Sequence, residues 1–253
     1  MIFDLQKASM WKRISAFLFD LILLGILAVF CAMILSAVLG YDSYSTTFSE
    51  AYDRYYTEYG LTQEMLTTDP AALAEEQISQ MNAASAAIAA DETAVHAYNM
   101  VINLQMVIVT FSLLLAFLLL EFTVPLLLGN GQTLGKKIFG VGVMHLEGVR
   151  IGHVALFIRT ILGKFAVETM PYAMCAIYLF GGMGSPVFLL IGGVLLVAQA
   201  LVLIFSHENA MIHDKMAVTV TVDVASQMIF NTREELIEYK KKQHAEKAAA
   251  QSW

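Results

Sequence analysis

The stretch "RISAFLFDLILLG", residues 13–25, decides how the rest of the chain is read. It opens on Arg13, runs apolar, and carries Asp20 at its middle. The apolar run continues to Leu39, long enough for a helix that crosses a bilayer. A carboxylate at that depth is costly in hydrocarbon and faces a bundle interior. The question is what Asp20 meets there.

Composition supports a membrane reading. The chain has 253 residues, 58% of them hydrophobic and 15% charged, against about 25% charged in soluble domains. Cys31 and Cys175 each lie in an apolar run and read as small buried hydrophobes rather than a disulfide or metal framework. Further apolar stretches run from about Met100 to Leu128 and from Phe165 to Phe205. The last is too long for one span of about 20 residues. "GGMGSP" (Gly181–Pro186) breaks it, since Pro186 suits the first turn of a new helix. The expected fold is an all-α four-helix membrane bundle, with spans near 14–39, 101–128, 165–182 and 186–206.

Basic residues set the expected orientation. Fourteen of the fifteen Lys and Arg lie before the first span, between the second and third, or after the fourth. Arg54 is the exception. Positive loops stay in the cytoplasm, so both termini are expected on the cytoplasmic side. A cleaved signal peptide is disfavoured, because the first run exceeds the 7–15 residues of a signal core and contains Asp20.

The chain therefore divides into 1–40 (N-terminus and first span), 41–100 (an acidic external insert), 101–128 (second span), 129–164 (an inner loop and interfacial helix), 165–206 (third and fourth spans) and 207–253 (an inner strand and charged tail). The insert holds ten acids and one Arg. Phe48, Tyr52, Tyr55, Tyr56 and Tyr59 form a stripe at helical spacing. Gly60 suits a C-cap, and Asp69 with Pro70 suits a helix start. A helical hairpin results. It is either a docking platform for a protein partner or a solvated hairpin whose aromatics pack on each other.

The inner loop "GNGQTLGKKIFGVGVMHLEGVRIG" (129–152) is glycine-rich and basic but fits no nucleotide motif. Lys137 stands where a Walker loop needs Ser or Thr. A span, not a strand, precedes the glycines, which excludes the dinucleotide fingerprint. Lys136 and Lys137 are expected against headgroups. "IFGVGVMHLEGVRI" and "MAVTVTVDV" (216–224) both alternate and are expected to pair as a small β element. "HVALFIRTILGKF" (153–165) reads as an amphipathic interfacial helix with Arg159 and Lys164 off its apolar face. Thr232 and Glu235 have capping-box spacing at the start of the tail helix, whose mixed charges favour solvent over lipid or nucleic acid.

Asp20 then gains neighbours. Asp20 and Glu121 both fall about 10 Å from the inner boundary at 1.5 Å per residue. Glu168, near the start of the third span, is slightly shallower. Pro125 frees the Glu121 carbonyl as one more acceptor. Asp20, Glu121 and Glu168 are either a proton and cation site or structural charges that fix helix contacts. Arg13 points back toward its helix N-terminus, where Asp214 is the expected partner. The histidines show no metal-ligand spacing, and no metal site or cofactor is expected.

Together these residues resemble the RDD family of prokaryotic membrane proteins, named for one Arg and two Asp. The resemblance covers residues 8–40 and 105–224 and places those charges at Arg13, Asp20 and Asp214. "TLGKK…G" matches Thr133, Leu134, Gly135, Lys136, Lys137 and Gly140, with Glu121 before it. The insert at 41–100 is longer than the usual connection. The resemblance implies either exchange of a monovalent cation for protons, or a non-transporting accessory subunit. Four spans are few for a transporter, so transport would favour a homo-oligomer. No nucleophile–base set is visible, so an enzyme is the least favoured class.

Overall fold

The computed structural model describes residues 5–181 and 185–251. The fold is mostly helical, with one two-stranded sheet. Three helices are long and apolar enough to cross a membrane: Met10–Leu39, Glu92–Leu128 and Val187–Phe205. Their outer faces are unshielded by protein, with Phe30, Leu127 and Phe205 well exposed. Exposed side chains of that size suit lipid contact.

The second of these helices begins at Glu92, earlier than the expected start at 101. Asp91 caps it, accepting from the backbone N–H of Thr93 at 2.9 Å and of Ala94 at 3.1 Å. The expected span at 165–182 differs more. Helix runs through 153–181, but Arg159, Lys164 and Glu168 occupy its first half. Only Met170–Gly181 is uniformly apolar, twelve residues and so about 18 Å of rise. Among the described residues three helices, not four, meet the length and composition of a spanning helix. The predicted break at Gly181–Pro186 falls largely on residues 182–184, outside the described residues.

Two helical stretches widen to i→i+5 bonding, Phe117–Thr123 and Ile158–Thr169. Val124 N–H donates to the Leu119 carbonyl and Met170 N–H to that of Phe165. The Thr123 and Thr169 hydroxyls each reach back five residues, to Leu118 and Lys164, at 2.7 Å. Such widened turns are rare and concentrate at functional sites. Both stretches here carry buried ionisable side chains, Glu121 in the first and Arg159 and Glu168 in the second.

The larger of two compact units contains residues up to 29 and from 113 onward. Its bundle core joins Leu24, Ala28, Ala116, Phe117 and Phe165. The predicted pairing of the two alternating segments is present. Strand β1 (Val141–His145) runs antiparallel to strand β2 (Thr219–Asp223), with Gly142 opposite Val222 and Met144 opposite Val220. Both strands are buried along most of their length. Met144, Val220 and Val222 pack with Leu5 and Ile229 on one side, and Val143 with Ile151 and Leu156 on the other. Two strands alone are marginal, so this covering explains the ribbon's existence.

The second unit, residues 30–112, contains helices Tyr41–Glu58 and Glu75–Ala90. The Asp69–Pro70 start opens a single tight turn, Pro70–Ala72, and the helix proper begins at Glu75. The aromatic stripe packs inward: Phe48 lies against Tyr52 and Tyr98, and Tyr52 against Tyr56. Arg54 pairs with Asp91 at 2.6 Å.

The ribbon core gives a stability prediction. Met144→Ala in full-length protein should cost about 2–5 kcal/mol, read as a clear fall in thermal midpoint. An unchanged midpoint would mean the ribbon does not contribute to the cooperative fold.

Candidate functional site

Asp20 meets the inner loop. The Thr133 hydroxyl donates to Asp20 Oδ2, and the Gly135 N–H donates to Oδ1 at 2.8 Å. Thr133 also caps the short helix Leu134–Ile138, accepting from Lys136 N–H. Asp20 thus supplies acceptors to a helix start from another segment, where negative charge is favoured. Close approach makes Gly135 obligatory. A Cβ there would stand 2.4 Å from the Ala16 carbonyl and 2.9 Å from Asp20 Cγ. Gln132 anchors the same loop to the ribbon, donating to the Val141 carbonyl at 2.9 Å. Gly140 turns the chain into β1 with φ +66°.

Glu121 and Glu168 do not join Asp20 in a shared carboxylate cluster. Glu121, buried, lies 2.7 Å from the Lys164 ammonium. Glu168 accepts from the His213 backbone N–H at 3.0 Å and faces its Nδ1 at 2.9 Å. The two widened helical stretches pack on each other, which brings Lys164 onto Glu121.

Asp214 pairs with Arg159 and not, as expected, with Arg13. Arg159 Nε and Nη2 reach Asp214 Oδ1 at 2.9 and 2.7 Å, and the side chains are 2% and 1% exposed. Thr219 donates to Oδ1 and Met211 N–H to Oδ2. Arg13 instead donates to the Asn209 carbonyl at 2.8 Å. The reason is access: Asp214 lies inward on helix Ile212–Met216, which packs on the widened stretch.

His213 links Arg159 to Glu168. A guanidinium only donates, so His213 Nε2, 3.2 Å from Arg159 Nη2, accepts. Nδ1 then carries the proton and donates to Glu168. This is the neutral ring, and burial pushes its pKa below the ordinary value. Asp214 is held well below the usual carboxylate range: burial alone would raise it, and the charge and hydrogen bond of the Arg159 guanidinium outweigh that.

The expected interfacial helix keeps an exposed apolar face, but its polar face meets protein and not water. Arg159 is buried, whereas Val154, Phe157 and Leu162 are exposed. Its polar face is the pairing face. The residues missed in sequence as pair members were Arg159, Lys164 and His213. Three ionisable groups at 159, 164 and 168 in an otherwise apolar run were the available signal.

Lys136 and Lys137 also diverge. Lys137 is exposed, as a headgroup contact requires. Lys136 is half-buried, and its ammonium is driven down to about 7 by desolvation, then by repulsion from Arg159 and Lys164, against the attraction of Glu121 and Asp20.

Signs of pH dependence follow. The unfolded chain binds more protons than the folded one at His213 below about pH 6.5 and at Asp214 through the carboxylate range. Stability is therefore lost as pH falls through those intervals. At Lys136 the unfolded chain keeps its proton above pH 7 while the folded protein releases it, so stability rises with pH from about 7 toward the ordinary 10.5. Lys136→Met should flatten that upper limb in thermal melts; a persisting rise would assign it elsewhere. Asp214→Asn leaves Arg159 buried without its counter-charge and should cost about 3–5 kcal/mol, measured by the same melts.

The RDD family model matches residues 7–218. No curated protein and no solved structure matches the chain. The matched span takes in Arg13, Asp20, the Thr133–Gly140 loop, the Arg159–Asp214 pair and the apolar helices that carry them. The chain belongs to the RDD family of membrane proteins.

Proposed function

We propose that this protein is a non-transporting accessory subunit of the bacterial inner membrane, crossing four times with both termini in the cytoplasm. The third pass is assigned to residues 165–182. Lys164 and Glu168 spoil its hydropathy, but Lys164 is neutralised by Glu121 and Glu168 accepts hydrogen bonds from His213, and both contacts lower the cost of membrane depth. One observation carries the accessory reading. Each acid of the supposed cation site is already engaged: Asp20 by Thr133 and Gly135, Glu121 by Lys164, and Glu168 by His213. A monovalent cation would have to displace a protein donor from each.

The insert is the docking element in this reading. Its aromatics are occupied with one another, so recognition falls to charge. Nine of its ten acids are exposed; Asp91, Arg54's partner, is the tenth. A hollow lined by Glu50, Asp53, Arg54, Thr57 and Glu58 concentrates that charge. A partner with a basic surface fits it.

Exchange of a monovalent cation for protons is the second reading. Lys136 favours it, because its ammonium, coupled to Asp20 and Glu121, changes charge near neutrality. Proteoliposomes decide between the two. We expect a sodium or potassium gradient to drive no more proton movement than in empty vesicles. Flux that disappears in Asp20→Asn would overturn the accessory reading. Cross-linking capture with residues 41–90 deleted should lose partners held by the full chain; partners that survive the deletion would remove the docking role.

A further inference from the structure

A cavity of about 410 Å³ opens where the second spanning helix ends and the helix through 153–181 begins. It lies apart from the ion pairs described above. Its walls are of two kinds. Leu126 and Leu156 give an apolar side, beside Leu127, which is 80% exposed at the end of the span. Arg150, His153 and Asn231 give the polar side, and no acid lines the space.

Arg150 is fixed there. Its Nε donates to the Gly129 carbonyl at 2.6 Å, and its guanidinium lies so close over Gly129 that a Cβ would fall 1.9 Å from Nη2. The backbone N–H of Arg150 is tied to the Phe230 carbonyl at 2.8 Å, which brings the following residue, Asn231, to the cavity's lining. Among the described residues Arg150 has no carboxylate partner, whereas Arg159 and Arg233 each have one. A guanidinium held by Nε alone, facing an amide and an imidazole, presents donors to an anion. The apolar wall at the end of a membrane span is where a lipid's glycerol and first methylenes lie.

We propose that this cavity binds the phosphate headgroup of an anionic phospholipid, with Arg150 as its principal contact and the acyl chains following Leu126 and Leu127 into the bilayer. The volume lies at the low end of ligand clefts, about 300–1,000 Å³, and holds a headgroup rather than a whole lipid. A zwitterionic headgroup brings its own cation toward Arg150 and fits less well. The site is independent of the accessory and transport readings.

The test is calorimetric titration of the purified full-length chain in neutral detergent with dihexanoyl phosphatidylglycerol. We expect one site per chain, with dihexanoyl phosphatidylcholine and inorganic phosphate at least about tenfold weaker. Arg150→Gln should weaken phosphatidylglycerol about tenfold, the worth of one charge-assisted hydrogen bond. Arg233→Gln, which removes the same charge outside the cavity, should leave it unchanged. Asn231→Asp keeps the Arg150 anchor and adds a negative wall; it should weaken binding equally, and it decides the matter if Arg150→Gln fails to fold. Equal binding of phosphatidylcholine would overturn the proposal. So would equal binding of inorganic phosphate, wild-type binding by a folded Arg150→Gln or Asn231→Asp, or equal loss in Arg233→Gln.

Discussion

The ion pair between Arg159 and Asp214 sets the terms for the rest of the molecule. Both side chains are almost fully buried, 2.7 Å apart, and separated by 55 residues of sequence. A buried charge without its partner costs several kcal/mol. The chain between them, including the Val187–Phe205 helix, must therefore return Asp214 to within reach of Arg159. The pair adds little net stability over an apolar substitute. What it does is select an arrangement, because other packings of these helices would strand a charge.

The neighbouring contacts follow from that selection. With Asp214 seated, His213 falls between Arg159 and Glu168, and its ring must be neutral to accept from one and donate to the other. Helix Ile212–Met216 then delivers the chain directly into β2. β2 pairs with β1, and β1 continues the loop that holds Asp20. Lys164, one turn beyond Arg159, closes onto Glu121 of the second span. A charge in one segment thus fixes a backbone turn in another.

The sequence made the elements legible and left the pairings hidden, for a physical reason. Alternation in 141–145 and 219–223 identified the strands, because a lone strand leaves its backbone groups unpaired and these two segments could pair with each other. The apolar run around Asp20 identified a spanning helix. Periodicity also found two faces on residues 153–165, but it does not say which face meets lipid. In water the charged face turns outward; in a bilayer it turns inward, and Arg159 is buried while Val154 is exposed. Depth estimates for Glu121 assumed a uniform α-helix. The widened turns at Phe117–Thr123 and Ile158–Thr169 displace side chains around the helix axis. No local pattern announced those turns, so Lys164 could not be matched to Glu121 by counting.

The same geometry explains why a motif of one Arg, two Asp and a glycine-bearing loop serves as a unit. Asp20 needs two donors, and the loop supplies them from the Thr133 hydroxyl and the Gly135 N–H. Gly135 is small because the first span's backbone must come within contact of the loop. Arg13, two turns before Asp20 on the same helix, takes the Asn209 carbonyl and so ties the first span to the segment that leads into Asp214. The Asp20 clasp and the Arg13 tether leave the same helix and end on the segments that lead, in sequence, into β1 and β2. Releasing either carboxylate would take an acceptor from Thr133 and Gly135, or from Arg159 and Met211. Any ligand cation must therefore offer more than charge: it has to leave Thr133, Gly135 or Arg159 with a replacement partner.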